Sequence, residues 1–267
     1  MTKQTAFLSA LSFVAFTAFA VFCAMPAGAA TISPDDLEPG DLIRGQTFSA
    51  VYYYGEDGFR YVFPNLNTYS TWYSDFDDVK WLSDANLATI QIGGNVTYKP
   101  GVKMVKITSV PKVYAVGAGG VLRHITSETV ATALYGANWN KMIDDLPDGF
   151  YANYTVGNAI EIASSFSPTA EKADAFSINA DKELTPFTTV TITDSGYSED
   201  EVTIGVGETV RFINEGPGKH SASADDKSWG TGTITVGKHF TKRFSKAGTY
   251  EFHCAYDEDM TGKIIVE

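Results

Sequence analysis

Cys254 carries the sharpest chemical demand in this sequence. Only two cysteines occur among 267 residues, and the other, Cys23, falls in an apolar leader. Once that leader is removed, Cys254 stands alone in an exported chain. An unpaired thiol in an oxidising compartment persists when it is buried, paired between chains or bound to a metal. The histidines that could join it in a mixed donor set are His124, His220, His239 and His253. Catalytic apparatus is missing from the pattern: there is no Gly-rich phosphate loop, no nucleophile elbow and no pair of metal-binding histidines at helical spacing. The chain is therefore not expected to be an enzyme.

The leader, residues 1–30, reads MTKQTAFLSALSFVAFTAFAVFCAMPAGAA. Lys3 is its single charge, an apolar run follows over residues 6–25, and Ala27-Gly28-Ala29 supplies the small-x-small pattern of a signal-peptidase site. Cleavage after Ala29 or Ala30 is expected, which makes the protein secreted or extracytoplasmic, at the cell envelope, with no membrane span after cleavage. The alternative is a retained anchor, because the apolar run is long for a signal core. Phe22 is too bulky to precede a lipidated Cys23.

The balance of 32 acidic against 20 basic residues gives a net charge of −12. Loss of Lys3 makes it one unit more negative. Nucleic acid and anionic membrane surfaces are excluded as partners, since both select basic stripes. With 44% hydrophobic and 19% charged residues, the chain can bury a core and is not globally disordered. The acidic clusters Asp75-Phe76-Asp77-Asp78 and Asp144-Asp145 lack calcium-loop spacing and read as solvated faces.

The elements that must position Cys254 fall into two regions. Residues 31–163 are rich in Tyr, Trp and Gly, and they repeat. Ala50-Val51-Tyr52-Tyr53-Tyr54-Gly55, then Arg60-Tyr61-Val62-Phe63, returns as Lys112-Val113-Tyr114-Ala115-Val116-Gly117, then Arg123-His124-Ile125. Trp72-Tyr73-Ser74 matches Leu134-Tyr135-Gly136, and Asn95-Val96-Thr97-Tyr98 matches Asn153-Tyr154-Thr155-Val156. A duplicated module is expected, with repeats at 41–102 and 103–163. Each unit predicts a hairpin and a short helix, which in the second runs from Glu128 to Tyr135 between a Ser127 cap and a Gly136 terminator. More strand returns at 79–82 or at Lys141-Met142-Ile143. Tyr52, Tyr53, Tyr54, Trp72, Tyr73 and Trp81 form either a glycan platform or, more simply, the core of this module.

Residues 164–186 are polar, small and charged, with prolines near both ends. They read as a linker of intermediate stiffness in which Phe166, Phe176 and Ile178 can dock locally. From 187 to 267 the period becomes strict alternation. Strands are expected at 188–193, 201–206, 209–214, 233–236, 240–244, 249–254 and 262–266, the pattern of a small antiparallel sandwich.

This last region resembles the cupredoxins, the small blue copper proteins. The resemblance rests on residues 202–214, on His220, and on Lys246-Ala247-Gly248-Thr249-Tyr250-Glu251-Phe252-His253-Cys254. Met260 and Gly262-Lys263-Ile264-Ile265-Val266 follow. It implies a mainly β fold, a cupredoxin-like antiparallel Greek-key β-sandwich preceded by the duplicated α+β or mostly β module. It also implies a copper site, in which His220 matches the first imidazole ligand, Cys254 the thiolate and Met260 the axial thioether. Thiolate and thioether favour Cu(I) while imidazole favours Cu(II), and the mixture serves both.

The family's second histidine has no counterpart. In its place, three residues after Cys254, stands Asp257, followed by Glu258 and Asp259. Three readings stay open. Asp257 ligates through a carboxylate oxygen; or the site is degenerate and the sandwich is a scaffold; or another metal or a supplied ligand completes it. His253 neighbours Cys254 on a strand, so their side chains leave opposite faces and His253 is expected off the site. His239, in a Gly-Lys-His turn, is expected exposed, and His124 structural.

The function implied is copper binding, with outer-sphere electron transfer or copper holding, and a redox partner protein or envelope component as the partner. The competing expectation is a metal-free surface or envelope interaction protein built on the same sandwich.

Overall fold

The computed structural model describes residues 30–267; residues 1–29, which hold most of the expected leader and Cys23, lie outside them. The first repeat opens with three short strands, β1 (Leu42–Arg44), β2 (Val51–Tyr54) and β3 (Arg60–Val62), paired as an antiparallel meander. Helix α1 (Leu66–Trp72) follows, started by the Asn65 side chain accepting the Thr68 N–H at 2.8 Å. Strand β4 (Val79–Trp81) returns parallel to β1. Helix α2 (Asp84–Thr89), capped by Ser83, leads to β5 (Ile92–Asn95), which lies parallel to β3.

The second repeat reuses that plan with β6 (Met104–Ile107), β7 (Val113–Gly117), β8 (Val121–His124), α3 (Glu128–Tyr135), β9 (Ile143–Leu146) and β10 (Thr155–Val156). The sheet orders, β4-β1-β2-β3-β5 and β10-β8-β7-β6-β9, are one topology written in opposite directions. Ser127 caps α3 and Gly136 ends it at φ 82°, as its sequence signals require. Two details differ from expectation. Lys141 and Met142 sit in a 3-10 turn ahead of β9 rather than in the strand. The hairpin pairing Tyr52–Val62 recurs as Tyr114–His124, so Arg123 occupies the place of Tyr61, not of Arg60. A shift of one residue moves a side chain to the other face of a sheet, and the two arginines are not equivalents.

Aromatic rings fill the module: Tyr53, Tyr61, Phe63 and Tyr69 in the first repeat, Tyr98, Tyr114 and Tyr154 in the second. Tyr52 and Trp81 lie beneath the guanidinium groups of Arg60 and Arg44. The half-buried Trp72 donates its indole N–H to the Thr97 carbonyl at 2.9 Å.

Residues 164–186 are folded onto both repeats. Helices α4 (Pro168–Asp174) and α5 (Ile178–Asp181) start at Ser167 and Ser177. Phe166 is buried in a core of the second repeat and Ile178 in that of the first, while Phe176 remains exposed. The Glu171 and Asp181 carboxylates accept the Ala118 and Gly119 N–H groups at 2.8 and 2.9 Å, and the Asn179 amide oxygen accepts the Glu56 N–H at 3.1 Å. Gly101, at φ 70°, lies so close that a Cβ there would meet the Pro168 carbonyl oxygen at 2.0 Å.

The C-terminal region is a sandwich of β11 (Thr188–Thr193), β12 (Gly196–Tyr197), β13 (Glu201–Ile204), β14 (Thr209–Asn214), β15 (Ser223–Ala224), β16 (His239–Arg243), β17 (Gly248–Cys254) and β18 (Asp257–Val266). Its two four-stranded sheets have orders β12-β11-β14-β16 and β13-β18-β17-β15. Pairs β11–β14 and β13–β18 run parallel and the remaining pairs antiparallel. Alternate side chains from both sheets interleave around Phe212, Phe244 and Phe252, with Trp229 packed against them. Residues 233–236, expected as a strand, supply only a bridge from Ile234 to His220. Gly232 and Gly237, both at positive φ, turn the chain away at each end, and Val236 faces solvent.

The module covers one edge of this sandwich. The Gln91 side-chain amide donates to the Thr241 carbonyl at 2.7 Å and accepts the Thr241 N–H at 3.2 Å. Asp57, 2% exposed, accepts the Tyr61 hydroxyl at 2.5 Å and pairs with Arg243. Arg211 donates to the Tyr54 hydroxyl at 2.9 Å.

Candidate metal centre

Alternation along β17 turns Phe252 and Cys254 inward and leaves Glu251 and His253 outward. The chain then reverses at once, and Cys254 pairs with Asp257 across the two-residue turn Ala255-Tyr256. Buried Sγ accepts the backbone N–H of Ser221 at 3.4 Å from a neighbouring segment, and the Tyr256 and Asp257 N–H groups of this turn act on it electrostatically. The next turn repeats the device with oxygen in place of sulfur: the Asp257 carboxylate accepts the Asp259 N–H at 3.2 Å.

His220 reaches the thiol from the segment between β14 and β15, held at its backbone by the bridge to Ile234. The residue is 5% exposed, and its Nδ1 lies 3.8 Å from Cys254 Sγ. Its Nε2 lies 2.9 Å from the Asp194 carboxylate, which also accepts the Gly218 N–H at 3.1 Å. An ionised carboxylate only accepts, so Nε2 carries the hydrogen and the Nδ1 lone pair faces the sulfur.

Electrostatics favour a polarised thiol–imidazole pair. Burial works against the His220 cation, but the bonds to Asp194 and Cys254 outweigh it and the pKa is raised. Burial likewise resists ionisation of Cys254, yet the Tyr256 N–H, the His220 bond and the Ser221 and Asp257 N–H groups prevail, and the thiol is lowered. The bonds from His220 and the Gly218 N–H hold Asp194 below the ordinary carboxylate range.

Met260 is 7% exposed and belongs to the same core cluster as Cys254. Asp257 does not join them. Its side chain is exposed together with Glu258 and Asp259, and among the described residues no three His, Cys, Asp or Glu side chains converge as a metal-binding group. The structure thus brings His220 and Cys254 face to face, buries Met260 in the core cluster that holds Cys254, and leaves the Asp257 carboxylate exposed.

His253 points away and engages Asp225 through Nδ1 at 2.6 Å. His124 packs against the Tyr114 ring, centroids 5.8 Å apart, within the second repeat. The expectation for His239 is corrected: it opens β16 and is half-buried rather than exposed. Burial first, then the Arg211 guanidinium, push its pKa down to about 4. Asp194 and the Ser221 N–H escaped sequence reasoning. Asp194-Ser195-Gly196 shows only a turn signal, and nothing in its distance along the chain from His220 marks a partner.

The family model described as a cupredoxin-like domain matches residues 162–266, and the chain carries a C-terminal cupredoxin-like domain. Among solved structures, an oxidized mutant of amicyanin is 26% identical, covering 30% of this chain and 81% of that chain with a TM-score of 0.29. A Cu(I) amicyanin mutant is 27% identical with the same coverages and a TM-score of 0.29. A purple cupredoxin from Nitrosopumilus maritimus is 20% identical, covering 30% of this chain and 99% of that chain at a TM-score of 0.29. No curated protein matches the chain.

Proposed function

We propose that this protein is an exported copper-binding carrier whose metal is held by His220, Cys254 and Met260. The observation that carries this reading is the buried approach of His220 Nδ1 to Cys254 Sγ at 3.8 Å. Each of the two donors has its orientation set by other groups: Asp194 on the far nitrogen of the ring, backbone N–H groups on the sulfur. A histidine ring whose second nitrogen is fixed by a carboxylate is the usual support of a metal-binding imidazole. Imidazole, thiolate and thioether together suit copper better than zinc, calcium or magnesium.

Bound copper would supply a one-electron Cu(I)/Cu(II) couple. The protein's own part is to keep the two donors in place as that charge changes. Asp194 holds the His220 tautomer, the three N–H groups hold negative charge on sulfur, and the hydrophobic cluster around Phe252 keeps water away. The leader ending in Ala27-Gly28-Ala29 supports export, and no helix among the described residues is long and apolar enough to cross a membrane. The partner on this reading is a redox protein or another component of the envelope.

Titration of the purified full chain with Cu(II) tests the reading. A visible thiolate-to-copper band that is absent in Cys254→Ala supports it. No band, and no copper-induced rise in melting temperature, would leave the sandwich as a metal-free scaffold.

A further inference from the structure

The first repeat buries a cation that no acid of the described chain neutralises. Alternation along β1 sends Leu42 and Arg44 to one face of the sheet and Ile43 to the other. Leu42 accordingly joins the core of Tyr53, Phe63 and Tyr69, and Ile43 that of Leu82 and Ile90. Arg44 is 7% exposed, yet no carboxylate among the described residues pairs with it. Its Nε and one Nη donate to the Gly45 and Phe48 carbonyls at 3.4 and 3.2 Å, and its guanidinium lies 4.1 Å from the centre of the Trp81 ring. These contacts use two of the five guanidinium N–H donors and bring no negative charge. An arginine this buried normally has an anion beside it.

The second repeat holds that anion. Arg44 lies opposite Val51 on β2 and Trp81 on β4. The same position in the second repeat is Lys106, opposite Val113 on β7 and Asp145 on β9. Lys106 is exposed and meets Asp145 at 3.2 Å. Where the second repeat sets an acid against its cation, the first sets an indole ring and covers the cation over.

A cavity of about 540 Å³ adjoins Arg44, within the range that small ligands occupy. Val51, Val62, Phe63, Leu66, Tyr69 and Phe76 make its walls largely apolar, and Arg44 is the only charged residue lining it. Leu66 and Phe76 are 61% and 43% exposed, so the cavity has a mouth at the protein surface. Phe76 is held there by stacking on Tyr69, centroids 4.3 Å apart. Its neighbours Asp75 and Asp77 do not line the cavity, and the Asp75 carboxylate is occupied by the Ser74 hydroxyl and the Asp77 N–H.

We propose that this cavity binds an organic carboxylate with an apolar body. The head group pairs with Arg44 and supplies the charge that Asp145 supplies to Lys106. The body lies against Val51, Phe63, Leu66 and Phe76. A guanidinium with donors to spare suits a carboxylate held through two parallel bonds, and the walls favour an alkyl or aromatic body over a sugar or a free amino acid.

Calorimetric titration of the copper-free full chain with sodium octanoate near neutral pH tests this, with octanol as the neutral probe. Saturable binding of one octanoate per chain is expected, with octanol weaker by about tenfold or more. Arg44→Gln should weaken octanoate by about tenfold or more and leave octanol unchanged. Because Arg44 is buried, Leu66→Glu provides a variant outside the core. It sets a carboxylate at the mouth, on an exposed position in the first turn of α1 where Glu suits a helix. It should weaken octanoate by about threefold or more while keeping the parent's melting temperature.

No saturable binding at about 3 mM octanoate overturns the proposal. So does octanol binding as tightly as octanoate, or Leu66→Glu binding octanoate as tightly as the parent. Tighter binding of an acetylated Leu-Leu-Asp amide than of octanoate overturns it in favour of a docking groove for an acidic protein segment. Copper enters none of these measurements, so each outcome is independent of the reading given to His220 and Cys254.

Discussion

Asp194 and His220 meet at 2.9 Å through the ring nitrogen that faces away from Cys254. The contact joins the turn between β11 and β12 to the opposite end of the imidazole, so one surface carboxylate decides which nitrogen presents a lone pair to the sulfur. Since Asp194 lies on the other side of the ring from the thiol, changing it alters the support of His220 and leaves Cys254 and Met260 as they are.

Asp194→Asn should lower copper affinity by about tenfold, the low end of the range for supports of this kind. Competition against a chelator of known affinity measures it. Unchanged affinity would show that the backbone alone orients the ring. Because Asp194 is exposed, the fold itself should be little disturbed.

His239 should make the protein acid-sensitive. Folded, it takes a proton only near pH 4; unfolded, near 6.5. Between those values unfolding takes up a proton, so this contribution to stability is intact above pH 6.5 and is lost as pH falls toward 4. The loss is at most about 3 kcal/mol, less where water reaches the ring. Urea unfolding at pH 7.5 and pH 5 should show a smaller drop in His239→Gln than in the parent, and an equal drop would refute the assignment.

Arg243→Ala should destabilise the protein by about 3 kcal/mol, because it strands the buried Asp57 carboxylate without its cation. Asp57→Ala combined with Arg243→Ala should cost less than the two single effects added together. Denaturant unfolding of the four proteins closes the cycle. Strict additivity would mean that the pair does not couple the module to the sandwich.

Gly101→Ala tests the packing of residues 164–186 onto the module. The new Cβ would strike the Pro168 carbonyl oxygen, and φ 70° disfavours any side chain there. A loss of about 2 kcal/mol, together with faster proteolysis in this segment, is expected. Gly136→Ala, where a Cβ meets nothing within 4 Å, serves as the control for strain without a clash.

The sandwich was legible because alternation in β11, β13, β14 and β17 marks a half-buried sheet directly, and the α3 boundaries were legible because Ser127 and Gly136 are local signals. His220 and Cys254 could be singled out by type, order and flanking strings. What escaped depends on contacts between distant segments. Asp194 is an ordinary turn residue until folding sets it beside His220. His239 has the neighbours of a surface turn, and only the arrival of Arg211 on the adjacent strand β14 and the burial of β16 change its environment. Of the three positions that the sequence marks for docking in residues 164–186, Phe166 and Ile178 are buried while Phe176 is exposed.

The paired bonds from Gln91 to Thr241 carry a further consequence. Strand β16 is the outer strand of its sheet, and an uncovered outer strand invites pairing with another chain. The amide of Gln91 occupies both the N–H and the C=O of Thr241, so at that residue the N-terminal module stands in the guard position another strand would take. A fragment beginning at residue 187 would lose that guard, and its solubility, rather than its metal chemistry, would be the first property to suffer.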